Sequence, residues 1–197
     1  MEKTEAHCTA LFLNCFKERK KYMDKGLMQC AIGDGKGKTT ALIGQLVRAQ
    51  GQGFKCACFQ FLKTQPSGEC AALEQLGIPV ERAQTDNTKF VFEMNAAEKG
   101  AYLMAQRALY TRAVRAVRSG EYDVVGLDEI LDLVELGAVD VEALSLAMTS
   151  RPVGVEVLLT GRSLPKKLEE AADYITRMES VRHPYDRGVS ARRGIEY

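Results

Sequence analysis

Three glycines, Gly33, Gly35 and Gly37, fall within five residues, between an apolar run ending at Ile32 and a helical pattern beginning at Lys38. Inside a strand or a helix such a cluster would be costly, because glycine loses more backbone freedom on ordering than any other residue. In a loop joining the two it is useful. It permits unusual backbone angles and lets amide groups approach an anion closely. The helix that follows adds unpaired N–H groups and the positive end of its dipole at the same point. The stretch therefore predicts a phosphate-binding loop made of Gly33, Asp34, Gly35, Lys36, Gly37, Lys38, Thr39 and Thr40, holding the triphosphate of ATP. Lys38 is placed to reach phosphate oxygens, and the Thr39 hydroxyl sits where such loops coordinate magnesium.

The usual spacing, GxxxxGK[ST], requires glycine where this chain has Ile32. Counted from Gly33, the loop is one residue short. That departure argues against assuming ordinary ATP hydrolysis.

From residue 27 onward, short apolar runs alternate with helical patterns, the signature of a parallel sheet with crossover helices. Strands are expected at 27–32, 55–61, 80–83, 123–127, 155–159 and 174–178, with helices near 38–50, 68–76, 95–119, 140–149 and 164–172. The longest helix carries Tyr102, Ala105, Leu109, Ala113 and Ala116 on one stripe and Arg107, Arg112, Arg115 and Arg118 on another. The arginine row reads as a solvated face. The fold class is α/β: a P-loop, RecA-like parallel sheet flanked by helices, in one domain over residues 27–197. Residues 1–26, with a polar start and a basic cluster at 17–21, read as an appendage, either a disordered tail or a segment folding over a site.

Composition narrows the function. Twenty-seven basic residues against 26 acidic ones give a net charge of +1, so no bulk positive field argues for nucleic acid. No apolar run reaches the roughly 18 residues of a membrane span, and no cleavable leader is evident, so a cytoplasmic location is expected. The six cysteines show no CxxC pair, and Cys30, Cys56 and Cys58 lie in apolar segments as small hydrophobes.

A second chemical feature is the run Tyr122-Asp-Val-Val-Gly-Leu-Asp-Glu129, an apolar strand ending in two carboxylates. In parallel α/β sheets, ligands gather at the carboxyl ends of strands. Asp128 and Glu129 could therefore converge with the loop and hold magnesium, which prefers hard oxygen ligands and bridges to phosphates. Standing alone, such a pair would more often be a helix-capping acid followed by a first-turn acid.

Taken in order, Gly33-Asp-Gly-Lys-Gly-Lys-Thr-Thr40, Gln60-Phe-Leu-Lys63, Gly68-Glu69, Leu127-Asp-Glu129, Leu159-Thr-Gly-Arg162, Ala172-Asp173, His183-Pro184 and the ending Gly194-Ile-Glu-Tyr197 resemble the ATP:corrinoid adenosyltransferases of the bacterial cobalamin pathway, the CobA/BtuR type. The short loop is typical of that family. The resemblance implies that the nucleotide lies reversed in the loop and that a reduced Co(I) corrinoid attacks the ribose 5′ carbon, releasing inorganic triphosphate. It implies Mg2+ held by Thr39 and Glu129, with Asp128 beside them, catalytic roles for Lys38 and Glu129, and Arg48 assisting the nucleotide. It also implies that Phe90 and Phe92 lie against the lower face of the corrin; the plainer reading is two core-facing phenylalanines. The corrinoid would be cobalamin, cobinamide or another, with a homodimer and an electron-donating flavoprotein as partners. His183 as a lower cobalt ligand would oppose a four-coordinate cobalt and is set aside. The alternative to this reading is a generic P-loop ATPase or small-molecule kinase.

Overall fold

The computed structural model describes residues 23–63, 67–85, 89 and 91–195. Six strands form one sheet: β1 (Met28–Ile32), β2 (Cys56–Gln60), β3 (Val80–Arg82), β4 (Val124–Asp128), β5 (Glu156–Thr160) and β6 (Tyr174–Arg177). Their order is β3-β2-β4-β5-β1-β6, and every pairing is parallel. All strands thus end at the same edge of the sheet, and β5 lies between the two strands carrying the sequence-predicted chemistry, β1 and β4.

Helices α1 (Lys38–Gly51), α2 (Gly68–Gln75), α3 (Ala96–Ser119), α4 (Ile130–Glu135), α5 (Val141–Thr149) and α6 (Lys166–Glu169) make the crossovers. Strand alternation divides the core in two. Ala57 and Phe59 of β2 pack with Leu109, Ala113 and Val117 of α3 on one face. Cys56 and Cys58 pack with Leu42 and Leu46 of α1 and Leu73 of α2 on the other. Each large side chain buried this way contributes about 1.5–3 kcal/mol. β4 accommodates α1 closely at Gly126, where an added Cβ would stand 2.9 Å from Leu42 and 3.1 Å from Leu46.

The helix starts follow local chemistry. α3 begins in a capping box: Asn95 accepts from the Glu98 N–H, and Glu98 accepts from the Asn95 N–H, both at 2.9 Å. The Asp140 side chain caps α5 by accepting from the Ala143 N–H at 2.8 Å. The expected stripe of α3 differs at one position: Gln106, not Ala105, is fully buried with Tyr102, Leu109 and Ala113. The helix expected at 164–172 is confined to Lys166–Glu169, because the chain must turn at Asp173 to enter β6, where its N–H bonds Met28 O at 2.9 Å. α4 went unanticipated; six residues following a buried strand give too little periodicity to register. β6 was expected as an ordinary strand of the sheet, yet all four of its residues are exposed, Tyr174 and Ile175 among them.

The cysteines are free where described, and burial pushes the Cys30 thiol up to about 12, and that of Cys56 to about 12 with help from the Asp123 charge. Burial raises Cys58 as well. Thiolate is the reactive form. Among the described cysteines, alkylation of the native protein near pH 8 should therefore reach partly exposed Cys70 first, and Cys30, Cys56 and Cys58 only on unfolding. Peptide mapping after timed iodoacetamide treatment checks this; native-state modification of any of the three at the Cys70 rate would refute the packing.

Candidate active site

The glycine-rich loop leaves β1 at Ile32, a core residue that pairs with Arg177 of β6. The strand thus continues through the position where longer loops have their first glycine, which accounts for the missing residue. Gly33 (φ 106°) and Gly37 (φ 117°) adopt backbone angles that side chains disfavour. Gly33 is also boxed in, since a Cβ there would lie 2.2 Å from Met178 O. Two amides anchor the loop: Gly33 N–H donates to Arg162 O at 3.0 Å, and Gly35 N–H to Met178 O at 2.8 Å. The first helical bond of α1 runs from Ala41 N–H to Gly37 O at 2.8 Å. The N–H groups of Lys38, Thr39 and Thr40 therefore head the helix without intrahelical acceptors. Lys38 Nζ donates to Gly35 O at 2.8 Å, folding the ammonium across the loop. Lys36 Nζ donates to Ile195 O at 3.1 Å and ties the C-terminal segment to the loop, while Asp34 and Thr40 are exposed.

β4 delivers its carboxylates to the same place. Asp128 is fully buried and accepts from the Thr39 hydroxyl at 3.0 and 3.1 Å and from the Thr160 hydroxyl at 2.7 Å. Thr160, on the intervening β5, also accepts the Glu129 N–H at 2.7 Å. With its proton directed to Asp128, Thr39 keeps oxygen lone pairs for another partner. Glu129 stands at the N-cap position of α4 with φ 62°, yet its side chain makes no capping bond. Instead it meets Lys63, whose Nζ lies 2.8 Å from Glu129 Oε1 and 3.6 Å from Asp128 Oδ2. Burial raises the Glu129 carboxyl above its ordinary value, with Lys63 pulling the other way. Burial alone would lower the Lys63 ammonium, but the Glu129 and Asp128 charges hold it above its usual value.

Beside them, Glu69 accepts from Gln60 Nε2 at 2.9 Å, and Gln60 Oε1 receives the Cys70 thiol at 3.2 Å. In the sequence, Lys63 and Thr160 stand only as parts of longer motifs. The signal for both was their place just past, or at, the end of an apolar strand.

A hydroxyl and two carboxylates are donors of the kind a hard divalent cation takes, and here the Lys63 ammonium pairs with both carboxylates. Among the described residues no three His, Cys, Asp or Glu side chains are grouped to hold a metal by themselves.

Other expected site residues lie apart. Arg48 is exposed in the last turn of α1, about 15 Å along the helix axis from Lys38. Its charge there complements the helix C-terminal dipole. Phe92 lies in a short 3-10 turn, Val91–Glu93, and is 85% exposed, so the core-facing strand reading does not hold for it. Phe90 lies outside the described residues. The Arg162 backbone holds the loop and donates its N–H to Asp132 at 2.8 Å. His183 caps a local turn, its Nδ1 accepting from the Tyr185 N–H at 3.2 Å.

A parallel sheet whose first strand feeds a glycine-rich loop and a helix N-terminus, with the first helical threonine bonded to an acid at the end of β4, defines a phosphate-loop α/β protein. Residues 24–197 match the family described as ATP:corrinoid adenosyltransferase BtuR/CobO/CobP, and the chain belongs to that family. The corrinoid adenosyltransferase of Escherichia coli K12 is 33% identical over 175 residues, covering 88% of this chain and 87% of that one. The corrinoid adenosyltransferase CobA of Salmonella typhimurium LT2 is also 33% identical, with the same coverage. A corrinoid adenosyltransferase of Sinorhizobium is 32% identical over 176 residues, 88% of this chain and 81% of its own. Among solved structures, nickel-bound HypB of Helicobacter pylori aligns with a TM-score of 0.22 and 15% identity over 80% of this chain and 89% of that one, too low to carry an argument. No helix among the described residues is long and apolar enough to cross a membrane.

Proposed function

We propose that this enzyme transfers the 5′-deoxyadenosyl group of ATP to the Co(I) of a reduced corrinoid. The cobalt electron pair forms the bond to C5′, the C5′–O bond breaks, and inorganic triphosphate leaves with the bonding electrons. The observation carrying this reading is the family match over residues 24–197, which spans the loop, the acidic strand end and the C-terminal segment together.

In this reaction the loop binds a leaving group. The N–H groups at the head of α1 and the Lys38 ammonium meet the charge that develops on the triphosphate, and such preorganised donors act mostly in the transition state. Gly33 and Gly35 serve mainly by fastening the loop, since their amides already bond Arg162 and Met178. Thr39, Asp128 and Glu129 would hold Mg2+, with the remaining ligands drawn from phosphate and water; when bound, the ion would neutralise triphosphate charge. Asp128 fixes the Thr39 rotamer and removes its proton from the metal side. Exposed Phe92, ahead of α3, is an apolar face offered to the corrin, with Phe90 two residues before it in sequence. A homodimer and a flavoprotein electron donor complete the reading.

The test mixes protein, ATP, Mg2+ and chemically reduced cobalamin without oxygen and follows the corrinoid spectrum. Formation of a light-sensitive alkylcobalamin with one triphosphate per turnover is expected. ADP or phosphate as product would favour a kinase or ATPase, and no alkylcobalamin with any corrinoid would sink the proposal.

A further inference from the structure

Among the described residues, two that are not glycine have positive φ: Leu62 at 57° and Glu129 at 62°. Both conformations are disfavoured by the Cβ, and such strain persists where surrounding structure enforces it, commonly at functional sites. Here one strained residue directly precedes Lys63 and the other is its ion-pair partner. Each is pinned by a buried side chain from another element. The Leu62 N–H donates to Gln106 Oε1 on α3 at 3.2 Å, and the Glu129 N–H to the Thr160 hydroxyl at 2.7 Å. The fold thus spends strain at two points to aim one ammonium at two carboxylates.

The charges do not balance. Asp128 and Glu129 carry two negative charges against one on Lys63, and the Glu69 carboxylate, fixed by Gln60, adds a further negative charge to the field at the ammonium. Asp132 also acts on Glu129. A divalent ion suits this site better than a lysine does. Lys63 Nζ, 2.8 Å from Glu129 Oε1 and 3.6 Å from Asp128 Oδ2, stands where the two carboxylates would face the metal.

We propose that Lys63 is the exchangeable cation of this site: it holds Asp128 and Glu129 together until the divalent metal enters, and then yields the carboxylates to it. The proposal rests on the metal reading of Thr39, Asp128 and Glu129. Lys63 is a positioning residue in this scheme. It holds two carboxylates, one of them fully buried, in place before the metal arrives, and its partial exposure leaves it room to move outward.

The test uses the full-length protein with inorganic triphosphate present throughout, with and without Mn2+. Electron paramagnetic resonance counts bound Mn2+, while brief acetylation with an N-hydroxysuccinimide ester, read by peptide mass spectrometry, reports how accessible each lysine is. The expected result is a rise of at least about fivefold in Lys63 acetylation as Mn2+ saturates, with exposed Lys166 and Lys167 unchanged as internal controls. Mn2+ bound with Lys63 reactivity unchanged overturns the exchange and leaves the metal reading standing. No bound Mn2+, or equal binding to Glu129→Gln, overturns the metal reading and the exchange with it. As a second measurement, Lys63→Met should melt lower than the parent without metal and gain more from Mn2+ than the parent does. An equal gain in both proteins would count against the exchange.

Discussion

Replacing Lys38 with alanine is expected to lower turnover by roughly 100- to 1,000-fold, the loss typical of removing one donor that stabilises transition-state charge. The fold should barely notice. Lys38 Nζ makes a single partly buried hydrogen bond, to Gly35 O at 2.8 Å, and supports no core residue. Losing one such bond costs about 0.5–1.5 kcal/mol, which for a chain of this size is a shift of only a few degrees in melting temperature. The separation of the two readouts is the point. A variant that melted much lower would show the lysine to be structural, and one that kept the parent rate would place the triphosphate elsewhere. Because the leaving group acquires its charge as C5′–O breaks, the deficit should fall mainly on kcat, with a smaller rise in KM for ATP.

The parts of this site that sequence revealed are those written in contiguous residues. The glycines at 33, 35 and 37 with Gly-Lys-Thr behind them specify strand, loop and helix within one short stretch, and the Leu127-Asp-Glu129 end of an apolar run specifies acids at a strand terminus. What sequence did not give is the sheet order. Only with β5 known to lie between β4 and β1 does Thr160 become the hydroxyl that bridges Asp128 to the Glu129 backbone. Lys63 is a similar case. Its contact with both acids depends on the β2–β4 pairing, Gln60 opposite Asp128, and on a left-handed turn at Leu62 that no propensity would suggest for leucine. Arg48 shows the opposite limit. Its role was implied by resemblance, and the length of α1 puts it a long way from the loop within the same chain.

Asp128→Ala is expected to be the most damaging single substitution at the site. It removes a fully buried acceptor from the Thr39 and Thr160 hydroxyls and one of the two carboxylates paired with the Lys63 ammonium. Breaking a buried charged network from one side costs about 3–5 kcal/mol, which here corresponds to a fall of roughly 10 °C in melting temperature. Asp128→Asn separates the acid's two duties. The amide keeps one oxygen to accept from Thr160 and preserves the shape, so its stability loss should be the smaller, about 1–3 kcal/mol. It no longer offers the charge that draws a cation between β1 and β4, and its turnover should fall nearly as far as that of the alanine variant. Thermal melts of both variants, paired with the anaerobic alkylation assay, distinguish the duties. If asparagine restored turnover along with stability, Asp128 would be a structural anchor for Thr39 and Thr160, and the cation would depend on Glu129 alone.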